Sequence, residues 1–207
     1  MKRMVALLET LKRTAGALKN ESVPFALAGS LAAYARGGWS DPRDVDLVVT
    51  EDSVPAAEKA LGRVGFQVFH PPEDWLVKAS YDEGSSHSMV DVLFRPAGIP
   101  VTQEMLDRAD EIIVESVTMP VLASTDLVVL KLLSLTEQHC DFGPLLRVSR
   151  PLREQVHWPT VVKSTRDSPY ARGFLNLLTE LQVLGHDAVG LPTNRISPAE
   201  GSSDRKE

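Results

Sequence analysis

"LAGSLAAYARGGWSDPRDVDLVV", Leu27 to Val49, sets Gly29-Ser30 ahead of two aspartates, the first of them, Asp44, fourteen residues after the serine. Phe25–Ala28 is a short apolar run that reads as a strand, and the glycine–serine turn leads it into a helix over Leu31–Arg36. Gly37, Gly38 and Pro42 mark a loop, and Val45–Thr50 reads as the next strand. Side chains alternate along a strand, so Asp44 and Asp46 point to one face, roughly 7 Å apart along the backbone. Two anions held side by side repel unless a cation sits between them. Oxygen ligands so placed suit Mg²⁺, which takes a few carboxylates together with substrate phosphates. Gly29 lets backbone N–H groups approach a ligand, and Ser30 is either the N-cap of the helix or a further donor to a phosphate.

A third carboxylate stands in "HSMVDVLF". Asp91 lies inside an apolar strand, where a buried charge is costly without a partner. Were that strand to lie beside the Asp44 strand, three acids would meet at one sheet edge, enough for a two-metal centre of phosphoryl or nucleotidyl transfer.

The rest of the chain limits the alternatives. Its 207 residues, 43% hydrophobic and 24% charged, describe an ordinary globular protein. A single cysteine, Cys140, excludes an internal disulfide and fits a reducing cytosol. With no run of eighteen apolar residues and no signal peptide, the expectation is a cytoplasmic protein away from membranes. The net charge of −6 is unevenly spread. Residues 41–116 carry sixteen acidic against six basic side chains, whereas Arg147, Arg150, Arg153, Lys163, Arg166 and Arg172 face only Glu154 and Asp167 over 145–175.

Helical periodicity covers residues 2–19 and Val54–Val64. Strands are expected at Phe66–His70, at Trp75–Tyr81 with His87–Phe94 (joined by Asp82-Glu83-Gly84-Ser85), and at Ile112–Ser116 with Met119–Leu122. After Ser124 the pattern turns helical: Thr125–His139, Pro144–Gln155, Pro159–Ser164 and Tyr170–Leu184. The expected organisation is α+β, a mixed sheet with flanking helices over 1–120, a helical substrate-binding part over 121–190, and a disordered tail over 191–207. Lys131 lies inside a Leu/Val-rich helix, where a lone cation either snorkels or meets an anion. In "QHCDFG", His139 and Cys140 lack the partners for a triad or a zinc site, and Asp141 reads as a helix cap. His70 and His87 read as surface or strand residues.

Strand, Gly-Ser, helix, loop, Asp-x-Asp on the next strand, and "VDVLF" later: this order resembles the nucleotidyltransferase superfamily of the polymerase-beta type. "DLVVLKLLSLTEQHCDFGPLLRV" resembles in addition the AbiEii-like and mycobacterial MenT-type toxins, which carry a lysine on a helix and an aspartate after it. The resemblance implies a Mg-dependent nucleotidyltransferase with Asp44, Asp46 and Asp91 as metal ligands. Gly29, Ser30 and Lys131 would hold the nucleotide, and Asp141 would join the catalytic set. It further implies CTP as donor, the tRNA acceptor stem as acceptor, blocked aminoacylation, and a cognate antitoxin as protein partner. Arg147, Arg150 and Arg153 would meet tRNA phosphates, with Trp158 and Tyr170 as stacking candidates. Two other readings stay open: an antibiotic-modifying nucleotidyltransferase with a small-molecule acceptor, and a non-catalytic antitoxin or binding partner.

Overall fold

The return of the chain after the glycine–serine turn organises the molecule. In the computed structural model, which describes residues 2–81 and 89–185, β1 (Ala26–Leu27) runs into α2 (Gly29–Ala35), and the chain comes back antiparallel as β2 (Val45–Val48). The end of β1 therefore lies against the start of β2, and the Ala28 N–H donates to the Asp46 carbonyl at 2.8 Å. That antiparallel return is why a turn and an acid pair so far apart in sequence become neighbours.

Around this pair the sheet grows in both directions. β3 (Gln67–Phe69), β4 (Leu76–Ser80), β5 (Met89–Leu93), β6 (Asp110–Val114) and β7 (Val117–Val121) complete seven strands in the order β3-β4-β5-β2-β1-β7-β6. β2 pairs with β5, and β1 with β7, in parallel; the other neighbours are antiparallel. α1 (Lys2–Asn20) and α3 (Val54–Arg63) pack on one another, as do α2 and α5 (Ser124–Leu133). α4 (Gln103–Asp107) was not expected; the Thr102 hydroxyl caps it, accepting the Met105 N–H at 3.3 Å. α6 (Phe142–Leu152), α7 (Trp158–Ser164) and α8 (Pro169–Glu180) follow. The mixed sheet with flanking helices and a helical C-terminal part is the architecture expected from the sequence.

Two apolar clusters fill the interior, and α5 belongs to both. Its Leu127 and Leu130 join the sheet core, while Val128, Leu132 and Leu135 beyond its end join the helical core with Leu145, Trp158 and Phe174. This double burial accounts for a helix that is apolar almost all round. Lys131 lies at the seam between the two. The helix stops at Leu133 rather than His139, because the Ser134 hydroxyl turns back to the Lys131 carbonyl at 2.9 Å and Thr136 and His139 close a reciprocal backbone pair. The turn at 82–85, His87 and the tail at 191–207 lie outside the described residues.

One ion pair fastens α5 to the sheet side. Arg108 reaches both carboxylate oxygens of Asp126, at 3.0 and 3.1 Å, and the Asp126 side chain is only 11% exposed. Removing the guanidinium leaves a buried acid unpartnered, a loss tempered by the half-exposed position of Arg108 itself. Arg108→Met is expected to cost about 1–2 kcal/mol, read as a lower urea midpoint at unchanged slope.

Candidate active site

Three carboxylates meet where β2 lies beside β5. The parallel register sets Asp46 directly opposite Asp91, and the pleat turns Asp44 to the same face as Asp46. One oxygen of each of Asp44, Asp46 and Asp91 lies within 4.8 Å of the other two, all three side chains being half-buried. Among the described residues no other group of three or more acids, histidines or cysteines converges in this way.

The electrostatics follow from that crowding. Burial, then the charges of Asp44 and Asp91, push the Asp46 carboxyl up to about 7, against the pull of Lys131 and Lys78. Burial likewise raises Asp91, offset by Lys78, whose ammonium lies 2.7 Å from both of its oxygens. Lys78 stands opposite Asp91 on β4, a role the sequence does not signal, since there it reads as one polar residue in a strand. Burial lowers the Lys131 ammonium, and the nearby Asp46 works in the other direction.

Gly29 fits this centre through what it lacks. Its φ is +62°, and a Cβ built on it would fall 2.5 Å from the Asp46 Cγ. The helix begins at Gly29 with Ala28 at the cap position, so Ser30 is not the N-cap; it lies in the first turn and lines a cleft. The donor set is all oxygen and anionic, and the glycine leaves room beside its central acid. Both features fit a hard divalent cation.

Two clefts open from the triad, and Lys131 lines both. The larger, about 540 Å³, contains Ser30, Trp39, Arg43, Asp44 and Arg147. The smaller, about 260 Å³, is bounded by Asp46, Asp91, Trp75 and an apolar wall that includes Leu93, Leu122 and Leu127.

Other expected residues lie elsewhere. Asp141 is exposed and caps α6, accepting the Gly143 N–H at 2.8 Å; it belongs to neither the acid group nor either cleft. Trp158 is 6% exposed with its indole N–H bonded to the Arg153 carbonyl, and Tyr170 is half-buried against the helical core, so neither offers an open ring for stacking. Of the three arginines, Arg147 reaches the cleft, Arg150 is exposed, and Arg153 pairs with Glu154 at 2.9 Å.

A protein-family model described as "Nucleotidyl transferase of unknown function (DUF2204)" matches residues 7–158, well over half of the chain. No curated protein matches. Among solved structures the fold is similar to that of the antibiotic-resistance factor ANT(2″)-Ia in solution, with a TM-score of 0.56 and 12% identity over 88% of this chain and 97% of that one. The crystal structure of ANT(2″)-Ia in complex with adenylyl-2″-tobramycin gives 0.53 and 13%, covering 81% and 95%. The lincosamide antibiotic adenylyltransferase LnuA, lincomycin-bound, gives 0.50 and 13%, covering 72% and 97%. No helix among the described residues is long and apolar enough to cross a membrane.

Proposed function

The chain belongs to the nucleotidyl transferase family whose model spans residues 7–158, and from that premise we propose that it moves a nucleoside monophosphate from a nucleoside triphosphate to a hydroxyl group. The observation that carries the proposal is the convergence of Asp44, Asp46 and Asp91 beside Gly29 and Lys131. Asp44, Asp46 and Asp91 would hold Mg²⁺, which on binding supplies charge stabilisation to the phosphates.

The remaining work falls to side chains. Lys131, set at the seam of the two cores, takes the negative charge that grows on the leaving pyrophosphate. Ser30 donates its hydroxyl to the same phosphates. The acceptor oxygen bonds the α-phosphorus as the α–β bridging P–O bond breaks, and pyrophosphate departs with the electron pair. Asp91, held by Lys78, takes the acceptor's proton. On this reading residues 1–120 supply the acids, and the helical part beyond supplies Lys131 and Arg147.

For the acceptor, we favour a small hydroxylated molecule carrying positive charge. The cleft on the Asp91 side is small, walled by apolar groups and acidic, with Glu73 close enough to act on Asp91. Such a surface repels a polyanion and suits an amine-bearing one. The solved structures of like fold hold adenylyl-2″-tobramycin and lincomycin, in keeping with that class. A second reading takes the tRNA 3′ end as acceptor, CTP as donor and a cognate antitoxin as the control. It is favoured by Arg147 and Arg150 standing exposed along one helix.

Radiolabelled ATP and CTP, each incubated with total tRNA and with a panel of aminoglycosides and lincosamides, test the proposal. Label is expected to pass to a small molecule, to require a divalent cation, and to fall at least about 1000-fold in Asp44→Ala. Label on tRNA would select the second acceptor. Transfer retained by Asp44→Ala would overturn the assignment of the acids.

A further inference from the structure

Trp39 is the one large aromatic side chain that the fold fixes at the mouth of the larger cleft and still leaves open. It is 70% exposed, and hydrogen bonds from its own backbone and from both flanking residues connect this segment to two helices. Gly38 donates its N–H to the Ala33 carbonyl at 2.7 Å, and the Trp39 N–H reaches the Arg147 carbonyl on α6 at 3.3 Å. Ser40 then donates its hydroxyl to the Ser30 carbonyl at 2.7 Å. Three consecutive residues are thus tied to α2 and α6. The Arg147 guanidinium sits 5.4 Å from the Trp39 ring centroid, stacking on the indole while the ring as a whole stays largely open. Hydrogen bonds to α2 and α6, rather than burial, thus set the position of an indole whose ring lies at the rim of a cleft that reaches Asp44.

The company Trp39 keeps says which ligand. Ser30, Arg43, Lys131 and Arg147 line the same cleft, and neither Arg43 nor Arg147 forms an ion pair among the described residues. Cations and a hydroxyl beside Asp44 suit a polyphosphate, and about 540 Å³ accommodates a nucleotide. The acceptor side of the triad, by contrast, is acidic and apolar. Resting on the nucleotidyl-transfer reading, we propose that Trp39 is the platform on which the nucleobase of the donor nucleoside triphosphate stacks, with Arg147 bracing the indole. Stacking reads the π-face that every base has, so this contact gives affinity with little choice between purine and pyrimidine. Trp39 bridges the two halves of the molecule through α6, so the bound base also ties the helical part to the catalytic sheet.

Calorimetric titration with ATP, CTP and inorganic tripolyphosphate, each with Mg²⁺, tests this without an acceptor. Trp39→Ala is expected to weaken ATP and CTP roughly ten-fold or more, to similar degrees. Tripolyphosphate, which has no base, is expected to stay within about two-fold, which also reports that the site is intact. Trp39→Phe is expected to keep most of the nucleotide affinity. Unchanged ATP and CTP binding in Trp39→Ala would overturn the stacking role, as would a parallel loss of tripolyphosphate. Transfer lost with nucleotide binding kept would overturn it in favour of the acceptor. Wild-type protein that binds none of the three would bring down the nucleotidyl-transfer reading itself.

Discussion

Asp46→Asn is expected to stabilise the metal-free protein and abolish transfer together. Burial first, then Asp44 and Asp91, push this carboxyl from 3.8 to about 7 in the folded chain. The unfolded chain loses the proton near pH 4, while the folded one keeps it to about 7. Across that window the folded state binds more protons, so stability falls as pH rises and stays reduced above about 7. Asparagine has no such proton to lose. The variant's advantage in melting temperature, measured in EDTA, should therefore grow from about pH 5 to pH 7.5 and then level off. Adding Mg²⁺ should raise the wild-type melting temperature by mass action and shift the variant far less. Transfer should drop by about 1000-fold or more, since the central oxygen ligand is gone. A variant with no advantage at pH 7.5 would sink the claim that burial, with Asp44 and Asp91 beside it, makes the charged Asp46 carboxylate costly in the folded chain.

What the sequence revealed about this centre was the part governed by local periodicity. Alternation along a strand places Asp44 and Asp46 on one face, and a charge in "MVDVL" has to find a partner, so the three acids were legible before any pairing was known. Their partners were not. Lys78 meets Asp91 only because β4 lies antiparallel to β5 in one register, and nothing near Lys78 in the chain encodes that register. The place of Trp39 is not legible because its cleft is closed by α6, far along the chain, while Trp158 and Tyr170, the stacking candidates of a sequence poor in aromatic residues, pack in the helical core. Asp141 shows the converse. Its sequence context, one residue ahead of a helix, already described the cap it forms, and only the likeness to toxin sequences drew it toward catalysis.

The helices divide along the same line. Residues 2–19 and 54–64 were readable because each buries one stripe, and the structure extends or trims them by a residue. α5 is shorter than its periodicity predicts because apolar residues continue past Leu133, and the Ser134 hydroxyl that ends it competes for a backbone carbonyl in a way hydrophobic patterning does not register. The antiparallel return from α2 to β2 likewise depends on tertiary contact, and it sets Gly29 against Asp46.

That contact makes Gly29→Ala the other substitution of large effect. Two penalties coincide at this position. A φ of +62° costs an L-residue on the order of 1 kcal/mol, and the added methyl would meet the Asp46 carboxylate, 2.5 Å from its Cγ. Gly65→Ala separates the two, because Gly65 has a φ of +90° but faces only the edge of the Tyr81 ring, at 3.2 Å from an ideal Cβ. Gly65→Ala should lower the urea midpoint and leave transfer intact. Gly29→Ala should lower the midpoint and reduce transfer on the order of 100-fold, since displacing a ligating group by an ångström is enough to cost that much. It should also blunt the Mg²⁺-induced rise in melting temperature, as Asp46→Asn does, because both disturb one oxygen. Full transfer by Gly29→Ala would mean that Asp46 can move aside without consequence, and the central place given to that carboxylate would be wrong.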